Sequence, residues 1–207
     1  MELVYVPWGW FAMGDDDAVG SGTERRHLQS IAGGYWIGRN DVTWREYLAF
    51  CEATNHPVPP RPPQAGDGHP VVNVSWDDAK AFCAWAGLVL PTEVEWECAA
   101  RGRDGRSLPW GSGEPTPERC VSAAHPTYGG RGAAPVGCCP AGASPWGALD
   151  MVGNVWQWVD DPFEYGQRRI RGGGSWRESI ALRATSEVGH QSPGYRYEWL
   201  GFRALLH

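Results

Sequence analysis

His69–Gly102 reads HPVVNVSWDDAKAFCAWAGLVLPTEVEWECAARG and contains two helix starts. Ser75 and Asp78 make one capping box, in which each residue satisfies a backbone N–H of the other; Thr92 and Glu95 make the next. Ala79, Phe82, Cys83 and Ala86 then recur at helical spacing until Gly87, and Gly102 stops the second run. A helix with one apolar face must bury it against another helix or a sheet. Upstream, Thr43 and Glu46 form a third box, followed by Trp44, Tyr47, Leu48 and Cys51 at the same spacing. This predicts a partner helix running to about Ala53.

Around these helices the pattern changes to short strands and long loops. MELVYVPWGWFAMG (1–14) reads as strand and turn, and GGYWIGRN (33–40) as a second strand leading into the first helix. The acidic triplet Asp15, Asp16 and Asp17 reads as a solvated turn. The proline-rich PVPPRPPQAGDGHP (57–70) cannot keep a continuous row of N–H donors and reads as a surface loop, not an interdomain linker. Residues 104–145 are rich in Gly, Pro, Ser and Ala and are expected to be irregular, whereas WGALDMVGNVWQWVDD (146–161) and RRIRGGGSW (168–176) each predict a short strand. With 28 Gly and 17 Pro, regular structure is limited; the 13 Trp supply the apolar area that a disordered chain lacks. The expectation is one loop-rich α+β domain over residues 1–207, and no repeat of solenoid or propeller length recurs.

The formal charge of −6 and the lack of any Lys/Arg run argue against nucleic acid as a partner. No signal peptide and no membrane-spanning stretch is readable, which leaves the compartment open. The six cysteines show no C-x-x-C spacing and are expected to be free thiols, Cys51 and Cys83 acting as small hydrophobes on helix faces. The six histidines show no H-x-x-x-H pair.

The ordered segments VPWGWFAMG, HPVVNVSWDDAKAFCAWAGLVLPTEVEWECAARG, LPWG, GALDMVGNVWQW, RGGGSW and LGFR resemble the formylglycine-generating (sulfatase-modifying) enzyme family along nearly the whole chain. The resemblance implies a variant C-type lectin-like fold. Members that make formylglycine use a copper-binding cysteine pair just after the GGS segment, but here RGGGSWRESIALRATS has no cysteine and none follows Cys139. Because a soft thiolate holds Cu(I), neither copper nor formylglycine generation is expected. The iron-dependent sulfoxide synthase branch uses histidines on an additional helical domain, and no counterpart is read here. Within the family the chain looks most like the variable proteins of diversity-generating retroelements: SWRES, LRAT and PGYRYEWLGFR stand at matching spacing, with only ALLH remaining.

That likeness divides the C-terminal residues into frame and inserts. Pro193, Arg196, Leu200, Gly201, Phe202 and Arg203 read as frame, with Leu200 and Phe202 in the core and both arginines as buried hydrogen-bonding forks. The inserts between 177 and 199 are Arg177, Glu178, Ser179, Ser186, Glu187, His190, Tyr195, Tyr197, Glu198 and Trp199, a mixture of aromatics, Arg and short polar residues typical of binding hot spots. Tyr195, Tyr197 and Trp199 alternate, so on a strand they share one face, either an outward contact surface or a buried stripe. The expected partner is a protein or cell-surface ligand, with carbohydrate as an alternative because rings stack on sugars.

A further candidate lies in DMVGNVWQW. The carbonyls of Gly153 and Val155 with the side-chain oxygens of Asp150 and Gln157 could surround a structural Ca²⁺, and family members resemble this with an acid where Gln157 stands. A turn tied by Asp150 to nearby backbone N–H groups reads equally well. The leading expectation is thus a non-catalytic binding protein; an enzyme of the family with altered chemistry and a structural assembly domain are the alternatives.

Overall fold

The computed structural model describes residues 1–16, 25–180, 186 and 188–207. All three helices start where the boxes place them. Helix α1 (Trp44–Thr54), α2 (Trp76–Ala86) and α3 (Glu93–Arg101) have Thr43, Ser75 and Thr92 as N-caps, and both hydrogen bonds of the box are present in each. Gly87 closes α2 in the left-handed conformation, where the absence of a Cβ removes the steric penalty.

Strands β1 (Leu3–Val6), β2 (Gly9–Met13), β3 (His27–Ile31) and β4 (Tyr35–Gly38) precede the helices. Strands β5 (Trp156–Pro162), β6 (Arg168–Arg171), β7 (Val188–Gln191), β8 (Leu200–Phe202) and β9 (Leu205–Leu206) follow them. The described residues form three sheets: β1-β4-β9, the β2-β3 hairpin and β7-β6-β5-β8. In the last, β5 pairs antiparallel with β6 and parallel with β8, while β6 pairs antiparallel with β7. Strand β9 pairs with β4, which brings the last described strand beside the N-terminal sheet.

One apolar cluster joins α1 and α2 to β5 and β8 through Trp44, Tyr47, Phe50, Phe82, Trp158, Leu200 and Phe202. A second lies between α3 and the N-terminal strands, around Phe11, Tyr35, Ile37 and Trp96. The proline-rich loop packs onto α1: Trp44 N donates to His69 O and Arg45 N to Asp67 O, both at 3.0 Å. The mixture of three helices and short strands is the α+β class that composition and pattern imply.

Three expectations need correction. Asp15 is buried and so is not part of a solvated turn, whereas Asp16 is exposed in a turn and pairs with Arg26 at 3.3 Å; Asp17 lies outside the described residues. Arg196 is a fork, but on the surface: its side chain is 48% exposed, and Nε and Nη2 reach Asp78 Oδ2 at 3.0 and 2.7 Å. Residues 195–199 are not a strand, because β8 begins only at Leu200.

Candidate functional site

The start of β5, the middle of β6, all of β7 and the segment before β8 surround a cleft of about 360 Å³. Trp156 and Ile170 meet Val188, His190 and Trp199 there, with Glu178 at one side. Its volume falls in the range of small-molecule pockets, which are apolar with a few placed polar groups. Gly189 makes the close packing possible, since a Cβ there would lie 2.8 Å from Ile170 Cγ1 and 3.6 Å from the Trp156 ring.

Glu178 is the placed polar group. Its Oε2 accepts hydrogen bonds from Trp156 Nε1 at 2.8 Å and Ser175 Oγ at 3.1 Å, and its backbone carbonyl accepts from Ala123 N. Two donors on one oxygen fix the carboxylate, and among the described residues none donates to its other oxygen. From Trp199 the aromatic surface continues outward. Trp199 stacks on Tyr197 at 4.5 Å and 15°, and Tyr197 meets Tyr195 edge-on at 5.6 Å. Three backbone bonds hold this segment: Asn73 N donates to Tyr197 O, Trp76 N to Pro193 O and Trp156 N to Trp199 O, each at 2.9 Å. The rings are therefore preorganised, which lowers the entropy lost on binding.

Of the residues singled out in the sequence, Glu178, His190 and Trp199 line the cleft, and Tyr195 and Tyr197 extend it. His190 stacks on Phe163 at 4.3 Å. Arg177 and Glu198 pair at 3.7 Å at the surface, and Ser179 is exposed. Ser186 is only 1% exposed and offers no contact surface, a correction to its reading as an insert; Glu187 and the LRAT segment lie outside the described residues. The rings divide as well: Tyr195 is 51% exposed, whereas Tyr197 and Trp199 are half-buried against the main apolar cluster. Sequence reading missed Trp156, Ile170 and Val188. Their strand pattern marks them as core, and only the approach of β7 and the Trp199 segment turns that core edge into a cleft.

Comparison with known proteins places this geometry in a family. The model of the sulfatase-modifying factor enzyme 1-like domain matches residues 1–207. The chain belongs to this family. The "inactive C-alpha-formylglycine-generating enzyme 2" of Bos taurus is 37% identical over 149 residues, covering 65% of this chain and 49% of that protein. The "hercynine oxygenase" of Mycobacterium tuberculosis is 38% identical over 161 residues, covering 65% and 36%. The chain thus spans half or less of the length of these relatives. Among solved structures, PvdO from Pseudomonas aeruginosa superposes with a TM-score of 0.87 at 24% identity, covering 99% of this chain and 94% of that one. Treponema denticola variable protein 1 superposes at 0.75 and 22% identity, with the same coverage. These likenesses establish the fold, the variant C-type lectin-like architecture that sulfatase-modifying factor domains share with variable proteins.

In this sulfatase-modifying factor-like domain the residues proposed for Ca²⁺ do not fit a hard cation. Gln157 Oε1 already accepts from Trp96 Nε1 at 2.6 Å and Arg203 Nε at 2.8 Å, and Asp150 Oδ2 accepts from Gly137 N at 2.6 Å. Arg203, fully buried, also donates to Gly38 O and Leu149 O, so a guanidinium occupies the midst of these oxygens. Gln157 Nε2 donates to Asp150 O at 2.9 Å, so the candidate ligands are bonded to one another. Gly153 and Val155 keep their place in the turn, with Gly153 N donating to Gly172 O. Asp150 does bind a backbone N–H, as the alternative reading has it, but that of Gly137 in the preceding loop, so it ties this segment to that loop and does not close a local turn.

Proposed function

We propose that the chain is a non-catalytic ligand-binding domain whose contact surface is the Trp156–Glu178–Trp199 cleft and the Tyr197–Tyr195 ladder beside it. One observation carries the reading: a carboxylate fixed by two donors stands in an aromatic cleft whose outer wall is a preorganised row of rings. Such surfaces supply contact area at low entropic cost, with the acid selecting for hydrogen-bond donors or positive charge. A protein or cell-surface ligand fits the open ladder, and a sugar that stacks on the rings fits the cleft. Likeness to a variable protein supports display of a binding surface on this scaffold. The lack of a cysteine after RGGGSW speaks against copper and formylglycine chemistry.

The test is binding of the labelled chain to arrays of extracellular proteins and glycans, repeated with Glu178→Gln and Tyr195→Ser. Saturable binding weakened about tenfold or more by each variant, with unchanged thermal unfolding, is expected for contacts worth ~1.4 kcal/mol or more. Saturable binding that neither variant affects would remove the cleft from the function.

The hercynine oxygenase likeness, together with the fixed Glu178 carboxylate, favours one other reading, an enzyme with altered chemistry. It differs in a measurable way. Sub-stoichiometric protein would then convert the ligand that it binds, and Glu178→Gln would abolish conversion while leaving binding within a few fold.

A further inference from the structure

Cys138 and Cys139 are adjacent, yet their sulfurs lie on the same side of the chain, 3.4 Å apart and sharing a hydrogen bond. Neighbouring side chains of an extended segment point to opposite faces, so the backbone must curl here. It does so through Gly137, held at φ +71 with its N–H on Asp150 Oδ2, and through the turn at Pro140–Gly142, where Gly142 N donates to Cys139 O at 3.0 Å. Cys139 also donates to Pro117 O at 3.2 Å and is buried, whereas Cys138 is exposed.

The other thiols differ in kind. Cys51, Cys83, Cys98 and Cys120 are all buried, and burial pushes Cys83 up to about 12 and Cys98 and Cys120 to about 11, where thiolate is scarce at neutral pH. In the adjacent pair, the hydrogen bond between the sulfurs raises Cys138 and lowers Cys139. The shared proton thus rests on Cys138, the sulfur that faces solvent, and negative charge is favoured on Cys139, 3.4 Å away and placed to take that proton.

We propose that Cys138 and Cys139 form a two-thiol oxidation site that a peroxide converts into a disulfide between neighbouring residues. The exposed Cys138 sulfur attacks one peroxide oxygen as its proton passes to the Cys139 thiolate across the shared hydrogen bond. The O–O bond breaks, Cys138 becomes a sulfenic acid, and the departing hydroxide takes a proton to become water. Cys139 then attacks the Cys138 sulfur: the S–S bond forms, and the S–O bond breaks to release a second water. The two thiols lose two electrons and two protons in all, and the peroxide is reduced. Consecutive Cα atoms are only ~3.8 Å apart, shorter than the roughly 4.4–6.8 Å usual for a disulfide, so the bond is readily reduced again and acts as a reversible modification.

The full-length chain, reduced and then treated with one equivalent of hydrogen peroxide, is alkylated and mapped by mass spectrometry. The peptide carrying 138 and 139 is expected about 2 Da lighter and unalkylated, and to accept two alkyl groups after treatment with a thiol reductant. In Cys139→Ser the resolving thiol is gone, and Cys138 is expected to stop at a sulfenic acid about 16 Da heavier with one equivalent and to reach a sulfinic acid about 32 Da heavier with two or more. Sulfenic or sulfinic Cys138 in the unaltered chain beside an alkylatable Cys139, or a disulfide joining Cys138 to Cys120 or to a second molecule, would overturn the assignment. Mapping of the unaltered chain decides the matter even where the variant fails to fold.

Discussion

Trp199 and Tyr195 belong to one row of rings but do different work. Trp199 packs against the apolar cluster of α1, α2 and β5 and also lines the cleft, so its indole is both wall and foundation. Tyr195 meets the end of the row edge-on at Tyr197 and is half in solvent. Truncating a fully buried aromatic costs ~3–5 kcal/mol, and a half-buried one proportionally less. Trp199→Ala is therefore expected to cost about 2–3 kcal/mol in urea unfolding, and Tyr195→Ser no more than about 0.5 kcal/mol, as for other surface changes. An equal cost for both would show that the row is a single structural unit with no free outer ring. Recognition by contacts at Tyr195 can thus vary without endangering the fold, whereas variation at Trp199 draws on stability.

Elements whose signals are local were legible in the sequence. The starts of α1, α2 and α3 are written in Thr43–Glu46, Ser75–Asp78 and Thr92–Glu95, because a capping box closes within four residues. Strands β7, β8 and β9 were not legible as such. Their pairings join residues far apart in sequence, Arg168 with Gln191 or Trp36 with Leu206, and these short segments show little alternation of their own. The cleft shares that blindness, since Trp156 becomes a wall only when β7 and Trp199 arrive beside it. Arg196 reads as a buried fork until its partner is known. That partner, Asp78, serves two elements: it completes the α2 box through Ser75 N at 2.8 Å and holds the ring segment through Arg196. Burial pushes the Asp78 carboxyl up, but the Ser75 donors, Arg196 and His56 outweigh it and leave it below the usual range. A carboxyl lowered on folding adds stability above its unfolded value of ~3.9, and that stability is lost as pH falls through the folded value. Asp78→Ala is expected to cost about 1–2 kcal/mol at neutral pH through the lost cap, with the difference from the unaltered chain shrinking below about pH 4. Chemical denaturation at neutral and acidic pH checks this; a pH-independent difference would mean that Asp78 acts only by packing.

Across the whole molecule, the two apolar clusters are joined by buried charge. Arg203, at the end of β8, reaches Gly38 beside the N-terminal sheet, Gln157 on β5 and Leu149 in the long loop. It therefore ties the C-terminal segment to the strands that begin the chain. Asp41 lies 3.8 Å from Arg203 Nη2, and neither of its buried carboxylate oxygens accepts a hydrogen bond from the described residues. Burial drives its carboxyl well above the ordinary value; Arg203 opposes this, and Asp150, buried nearby, adds to it. Above the unfolded value of ~3.9 the folded chain therefore favours the protonated form of Asp41 more than the unfolded chain does. Stability from this group is complete below the unfolded value of ~3.9 and is lost as pH rises through the folded value, the reverse of Asp78. Asp41→Asn keeps the shape and removes the titration. Whatever its absolute cost from a weakened Arg203 partner, its stability relative to the unaltered chain is expected to improve steadily from about pH 4 upward. Urea unfolding of both chains across that range measures the slope. A gap that stays constant, or widens against the variant as pH rises, would mean that Asp41 is ionised in the fold and that its attraction to Arg203 outweighs the cost of burial.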